Sequence, residues 1–220
     1  MWNTGPVTTP PPGLRERKKR ATREALREAA LRLAVERGPD HVRVDDIAEA
    51  AGVSPRTYNN YFASREQAIV SAVTADREAR VAEAVAARGA RTPLARAVTE
   101  AVVEQYTDTG GREREVLRLV TARGALREAF LDSSDAIAPP LTAVIAARPG
   151  VDGTATARVL AASVAAAVRI ALEEWLRAPA GEGRAGGLVV PSGSLPDRLR
   201  EALEPLAPAL DAAERGGGRA

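Results

Sequence analysis

Arg56, Asn59 and Asn60 lie within one short stretch of the chain and carry the donors and acceptors that match nucleic-acid base edges. A guanidinium pairs bidentately with guanine O6 and N7, and a carboxamide pairs with adenine N6 and N7. Thr57 among them offers a methyl group to thymine or a hydroxyl to phosphate. Other chemistry is thinly represented. The single histidine, His41, has no partners at metal-ligand spacing, and cysteine is absent, which removes disulfides, thiolate metal sites and thiol nucleophiles. No Ser, His and Asp set suits nucleophilic catalysis. Gly181, Gly183 and Gly186 have the spacing of a dinucleotide-binding turn, but they follow a helical pattern rather than a strand, so the spacing is coincidental. No catalytic residue, metal or cofactor is expected.

Side chains that read a groove need a rigid support, and the flanking residues describe one. Leu26, Ala29, Ala30 and Leu33 form an apolar stripe at helical spacing, and Gly38-Pro39-Asp40 ends that helix. A short helix follows, with Val44, Ile47, Ala48 and Ala51 on one side and Asp45 and Asp46 in its first turn, where acids suit the helix dipole. Ala51-Gly52-Val53 breaks the chain tightly. Ser54 then caps a third helix with Pro55 at its first position, and the pattern predicts that this helix runs to about Phe62. Ser64, with Gln67 three residues on, opens the next helix as a capping box. Three short helices with a Gly-containing turn between the second and third make a helix-turn-helix.

The sequence at this point resembles the TetR family of regulators over residues 18–70. The resemblance rests on Ala29, Ala30 and Leu33, then Glu36-Arg37-Gly38, then Val44, Ile47, Ala48, Ala51-Gly52-Val53-Ser54 and Thr57, then Tyr61, Phe62 and Ser64-Arg65-Glu66. It implies that Tyr58 and Phe62, four apart on one face, are core, and that Arg56, Thr57, Asn59, Asn60 and Tyr61 face the groove. Ser54 and Arg65 are then expected on phosphates. Arg43 stands where the family has a capping Thr, so the second helix loses that cap, and Arg43 is placed on a phosphate instead. The basic run Arg15, Arg17, Lys18, Lys19 and Arg20 is expected to touch the DNA backbone non-specifically. Through Arg65 the chain has 12 basic and 8 acidic residues, against 19 and 21 beyond it, which agrees with a polyanion partner at the N-terminal end.

The rest of the 220-residue chain reads as helix after helix, with 45% hydrophobic but only 3% aromatic residues, so Ala, Leu and Val must build the core. The fold class is all-α: an N-terminal three-helix helix-turn-helix domain over residues 14–63 and a larger helical ligand-binding and dimerisation domain over 64–213, between tails at 1–13 and 214–220. Helices are predicted over 64–89, 93–108, 112–122, 125–147, 153–178 and 194–213, with Pro139-Pro140 kinking or breaking the fourth and a loop over 179–193. Leu160, Val164, Val168, Leu172 and Trp175 make one stripe, and Leu195, Leu199, Leu203, Leu206 and Leu210 another. The family resemblance assigns these to a homodimer interface, where two helices per subunit form a two-fold bundle. Val102, Val103, Tyr106, Leu117, Val120, Leu126, Phe130, Leu141 and Ile145 suit an apolar cavity for a small-molecule effector. The recognition-helix sequence, the order of later helices and Trp175 look like a branch of the family that binds acyl-CoA-like ligands, for which Arg118 or Arg169 would meet an anionic head group. No apolar run is expected to reach the length of a membrane span, and the partners implied are double-stranded operator DNA, an effector and a second copy, in the cytoplasm.

Overall fold

The computed structural model describes residues 13–74, 77–107, 117, 119–120, 123–177 and 194–216. Most of the tail 1–13, the helix expected at 112–122 apart from Leu117, Leu119 and Val120, Arg118, the loop 179–193 and the end of the tail 214–220 lie outside the described residues. Every element within them is helical. The chain divides into two compact units, the first ending at Ala68 and the second beginning at Ile69.

The first unit begins with α1, Leu14–Arg37, whose buried residues Leu26, Ala29, Ala30, Leu33 and Ala34 are the stripe read from the sequence, extended by one. Gly38 ends it, and a single 3-10 turn over Pro39–His41 leads to α2, Val44–Ala50. Ile47 and Ala48 are fully buried, and α2 packs on α1 and on α3, Pro55–Tyr58. α4, Arg65–Thr74, starts from Ser64. Ser64 Oγ accepts the Gln67 N–H at 3.1 Å, while the Gln67 side chain accepts from Ala63, at 2.8 Å, one residue before the cap.

The second unit contains α5, Arg77–Ala87; α6, Leu94–Thr107; α7, Gly124–Asp132; α8, Ala138–Ala146; α9, Thr154–Arg177; α10, Leu195–Leu203; and α11, Ala207–Gly216. α9 packs against α8, α10 and the 3-10 turn Ser133–Ile137, and α6 packs against α5, α10 and α11. α9 is long and apolar enough to cross a membrane by length and composition, contrary to the sequence expectation; half of its most apolar window is buried inside the unit.

Proline places one expected break and adds another. The helix predicted over 125–147 is two helices, and the break precedes Pro139-Pro140 rather than falling on them. Neither proline can donate to the ladder, so the chain tightens into Ser133–Ile137 and the prolines sit in the first turn of α8, where no donor is required. Ser133 and Ser134 hydroxyls donate to the carbonyls of Phe130 and Leu131, each at 2.7 Å, and so occupy the end of α7. The helix predicted over 194–213 is likewise broken, by the 3-10 turn Glu204–Leu206 containing Pro205, with Pro208 opening the next helix.

The expected tail at 214 is instead the last turn of α11, and it is tied down. Glu214 Oε2 accepts the Leu94 N–H at 2.9 Å and Asp211 Oδ1 accepts the Ala95 N–H at 3.0 Å, capping α6 from 116 or more residues away. Glu214 Oε1 lies 3.0 Å from Nε of Arg148, whose side chain is only 6% exposed. Arg148 also donates to the carbonyls of Gly89 and Thr92. The approach is close: a Cβ on Gly150, at φ +89°, would meet the Glu214 carbonyl oxygen at 1.9 Å.

Candidate nucleic-acid interface

The segment from Ser54 to Ser64 is fixed from beneath. Ser54 Oγ accepts the Thr57 N–H at 3.1 Å and pairs with Thr57 Oγ1 at 2.9 Å, and Pro55 occupies the first turn. Gly52, at φ +68°, supplies the reversal before it. Tyr58 is fully buried and Phe62 nearly so, as the resemblance implied, with ring centroids 5.8 Å apart. The Tyr58 hydroxyl donates to the Ser64 carbonyl at 2.8 Å. Burial, reinforced by the Glu66 carboxylate, pushes the phenol up to about 12, so it stays a neutral donor at physiological pH. The Arg23 guanidinium lies over Phe62, 5.7 Å from its centroid.

With positions 58 and 62 held inside, Arg56, Asn59 and Asn60 emerge exposed, and Thr57 and Tyr61 half-buried. α3 is shorter than predicted, ending at Tyr58 rather than near Phe62. The N–H groups of Asn60 and Tyr61 bond to carbonyls three residues back, at 3.1 and 2.8 Å, so the chain keeps turning but more tightly than an α-helix. The base-matching carboxamides therefore stand on the turn that leaves α3. They share an exposed surface with Arg56, whose guanidinium is one turn of helix away.

Arg43 and Arg65 are held in different ways. Arg43 is exposed and does not cap α2, as anticipated. Half of a capping box survives regardless, because the Asp46 carboxylate accepts the Arg43 N–H at 3.1 Å. Arg65 donates through Nε to Glu66 at 2.7 Å, and one terminal nitrogen donates to the carbonyls of Val42 at 2.8 Å and Asp40 at 3.2 Å. It thus anchors the entry of α2 to the start of α4. The sequence carried no sign of that job, since the partners are backbone carbonyls 23 and 25 residues away.

In the second unit, Tyr106, Val120, Phe130, Leu141 and Ile145 are buried, and Val103 and Leu117 half-buried. Tyr106 is covered by Arg77, itself only 6% exposed, with its guanidinium 4.4 Å from the ring centroid. Burial pushes the Tyr106 phenol up to about 12 against the pull of Arg77. Sequence reasoning missed this buried cation. A cleft of about 300 Å³ opens elsewhere, between α7 and α9, lined by Arg127, Glu128, Leu131, Arg169, Glu173 and Arg177. Arg169 is committed there to Asp132 at 2.7 Å and Glu173 at 3.0 Å.

The interface assigned from the sequence requires correction. Leu160, Val164, Val168, Leu172, Leu199, Leu203 and Leu210 are buried within a single chain, because α8, α10, α6 and the Ser133–Ile137 turn occupy those stripes. Trp175, Leu195 and Leu206 are half-buried. The exposed apolar residues of α9 lie on its other side: Ala155, Val159, Ala162, Ala166 and Ile170, with Val159 65% and Ile170 52% exposed.

Residues 26–72 match the family described as bacterial regulatory proteins, tetR family. Over 174 residues, 74% of this chain and 77% of the relative, the sequence is 35% identical to the HTH-type transcriptional regulator TcmR of Streptomyces glaucescens. A shorter match, 41% over 51 residues, covers 23% of the chain and 25% of the regulator BetI of Rhizobium meliloti. A crystal structure of Thermus thermophilus FadR, a TetR family transcriptional repressor in complex with lauroyl-CoA, is 21% identical with a TM-score of 0.47, covering 84% of this chain and 92% of that one. On the extent and identity of the TcmR match, with the helix-turn-helix in place, the chain belongs to the tetR family of bacterial regulatory proteins.

Proposed function

We propose that this regulator is a repressor that binds palindromic operator DNA as a homodimer in the cytoplasm and leaves it when a small apolar effector enters the second unit. The observation that carries the reading is the exposed set Arg56, Asn59 and Asn60 on a turn locked by buried Tyr58 and Phe62 and the Ser54 cap. Those three side chains read base edges; Thr57, Tyr61, Ser54 and Arg43 add groove and phosphate contacts, and Arg65 sets the position of α2. No catalytic step is involved.

Homodimerisation supplies the second recognition element. Two copies spaced by about 34–36 Å meet successive major grooves and so read a palindrome. The stripe Ala155, Val159, Ala162, Ala166 and Ile170 suits a two-fold contact in which α9 meets its own copy, with Trp175 and Leu206 beside it. The effector is assigned an apolar body because Val120, Phe130, Leu141 and Ile145 are buried aliphatic and aromatic groups, with Val103, Tyr106 and Leu117 completing the set.

The test is a fluorescence-anisotropy titration against DNA from upstream of the coding sequence, with a scrambled control, in about 150 mM salt. Preference for the upstream DNA that Asn60→Ala abolishes without loss of helicity supports the groove assignment; retained affinity in that variant sinks it. Release by long-chain acyl-CoA supports an acyl effector, and release only by a planar drug-like compound replaces it.

A further inference from the structure

Among the described residues of the second unit two guanidinium groups are buried, and they are used differently. Arg148 is taken up by the carbonyls of Gly89 and Thr92 and by Glu214, partners that join one stretch of backbone to another. Arg77, the first residue of α5, instead lays its guanidinium over the ring of Tyr106 in the last turn of α6, and both residues are more than nine-tenths buried. α5 and α6 run antiparallel here: Arg80 Nε donates to Gln105 at 2.9 Å and Arg88 Nε to Glu100 at 3.3 Å. One turn in from the pair, Val81 and Val102 are fully buried, so a cation and a phenol close the end of an apolar seam.

The chemistry at that end suits an oxyanion. The Tyr106 phenol, pushed up to about 12 by burial, stays protonated and can donate. Two charges act on its oxygen, Arg77 and, one residue on, the Glu78 carboxylate. Arg77 is the stronger, so an oxygen placed beside the phenol meets a net positive field. Burial keeps water from weakening that field. A guanidinium carries five N–H donors in a fixed fork, so Arg77 can serve another acceptor without giving up those it already has. A carboxylate offers two oxygens, one for the guanidinium and one for the phenol, and bonds to an ionised partner are about twice as strong as neutral ones. An ammonium would be repelled by Arg77, and an ester or alcohol would bring no charge to meet the field.

We infer that Arg77 and the Tyr106 hydroxyl are the head-group site of the effector, which is therefore an amphipathic carboxylic acid with an apolar body, bound as its carboxylate. The inference rests on the effector reading above and narrows it from an apolar molecule to an anionic one. It also moves the head group away from Arg169, which is bound to Asp132 and Glu173.

The experiment starts with full-length protein in the absence of DNA. Calorimetric titration compares two acids, decanoate and naphthoate, with their neutral amides, decanamide and naphthamide, on wild type, Arg77→Gln, Arg77→Lys and Tyr106→Phe. In at least one of the two scaffolds the acid is expected to bind about tenfold tighter than the amide or better, the effect of one hydrogen bond to an ionised group. Arg77→Gln removes that preference and Arg77→Lys restores part of it. Tyr106→Phe keeps the ring beneath the guanidinium, and it lowers acid affinity by about tenfold while leaving the amide nearly unchanged. Circular dichroism checks the helicity of each variant; if Arg77→Gln loses it, Tyr106→Phe decides. Acids that bind no tighter than their amides in both scaffolds, or a preference that survives in folded Arg77→Gln or in Tyr106→Phe, overturn the inference. Release of operator DNA by the bound acid is then followed by fluorescence anisotropy. Acids that bind with the expected preference but leave the protein on its DNA refute the effector reading and leave the carboxylate site standing.

Discussion

Replacing Arg148 by Met removes the charge at the centre of the staple that joins α11 to α6. Three groups lose a partner at once: the carbonyls of Gly89 and Thr92, and the Glu214 carboxylate. Hydrogen bonds to a charged group are worth about 1.5–3 kcal/mol each, so the two carbonyls alone bound the loss near 3–6 kcal/mol. Water offsets part of this, because the Glu214 side chain is 18% exposed and rehydrates more readily than Arg148 does. The Nε–Oε1 contact at 3.0 Å is close enough to pair but not aligned as a hydrogen bond, so it adds attraction without a full bond. A cost of about 3–5 kcal/mol follows, the range for breaking a buried pair from one side. In a unit of this size that lowers the midpoint of thermal unfolding by roughly 6–20 °C. Glu214→Gln keeps an oxygen for the Leu94 N–H, and the double variant Arg148→Met/Glu214→Gln buries no orphaned charge, so it costs about 1–3 kcal/mol less than the sum of the singles. The assay is urea unfolding followed by circular dichroism for wild type, both singles and the double. Strict additivity, or an Arg148→Met cost under about 1 kcal/mol, would refute the staple.

Gly150→Ala is expected to destabilise the second unit by more than about 2 kcal/mol, since its Cβ collides with the Glu214 carbonyl at a backbone angle only Gly adopts freely; an unchanged urea midpoint contradicts this. Tyr58→Phe removes one of two donors to the Ser64 carbonyl, which keeps the Ala68 N–H at 3.3 Å, and costs about 0.5–1.5 kcal/mol, read as a lower thermal midpoint with operator preference weakened. Raising the pH tests both buried phenols. Tyr58 and Tyr106 have folded pKa values raised from 10.0 to about 12, so the unfolded chain ionises first; their stabilisation is complete below pH 10 and is lost as pH rises towards 12, by up to about 2.7 kcal/mol for each. Tyr58→Phe/Tyr106→Phe should flatten that alkaline fall, and an equally steep fall in the variant would assign it to other groups.

The recognition element was legible in the sequence because its signals are local. Ser54 with Pro55, Gly52, and the four-residue spacing of Tyr58 and Phe62 each act within one turn, so residue type and spacing suffice. What stayed hidden depends on distant partners. Arg65 bonds to carbonyls more than 20 residues away, and Glu214 caps a helix 120 residues away. The stripes on α9 and α10 were recognised as apolar, but periodicity says only that a face is covered and never by what. Here other helices of the same chain cover it. The breaks at Ser133–Ile137 and Glu204–Leu206 were legible in principle from Pro139-Pro140, Pro205 and Pro208.

The composition of α9 has a thermodynamic consequence. Its exposed stripe is largely alanine, with Val159 and Ile170 the two larger members. Alanine has no rotamers to lose, so covering Ala155, Ala162 and Ala166 forfeits almost no side-chain entropy, whereas a Met or Lys there would forfeit up to about 2 kcal/mol. Such a surface gives little energy per residue and lets two helix backbones come close. In the proposed two-fold contact it is therefore easy to retune, because one enlarged side chain at position 162 or 166 would prop the two helices apart.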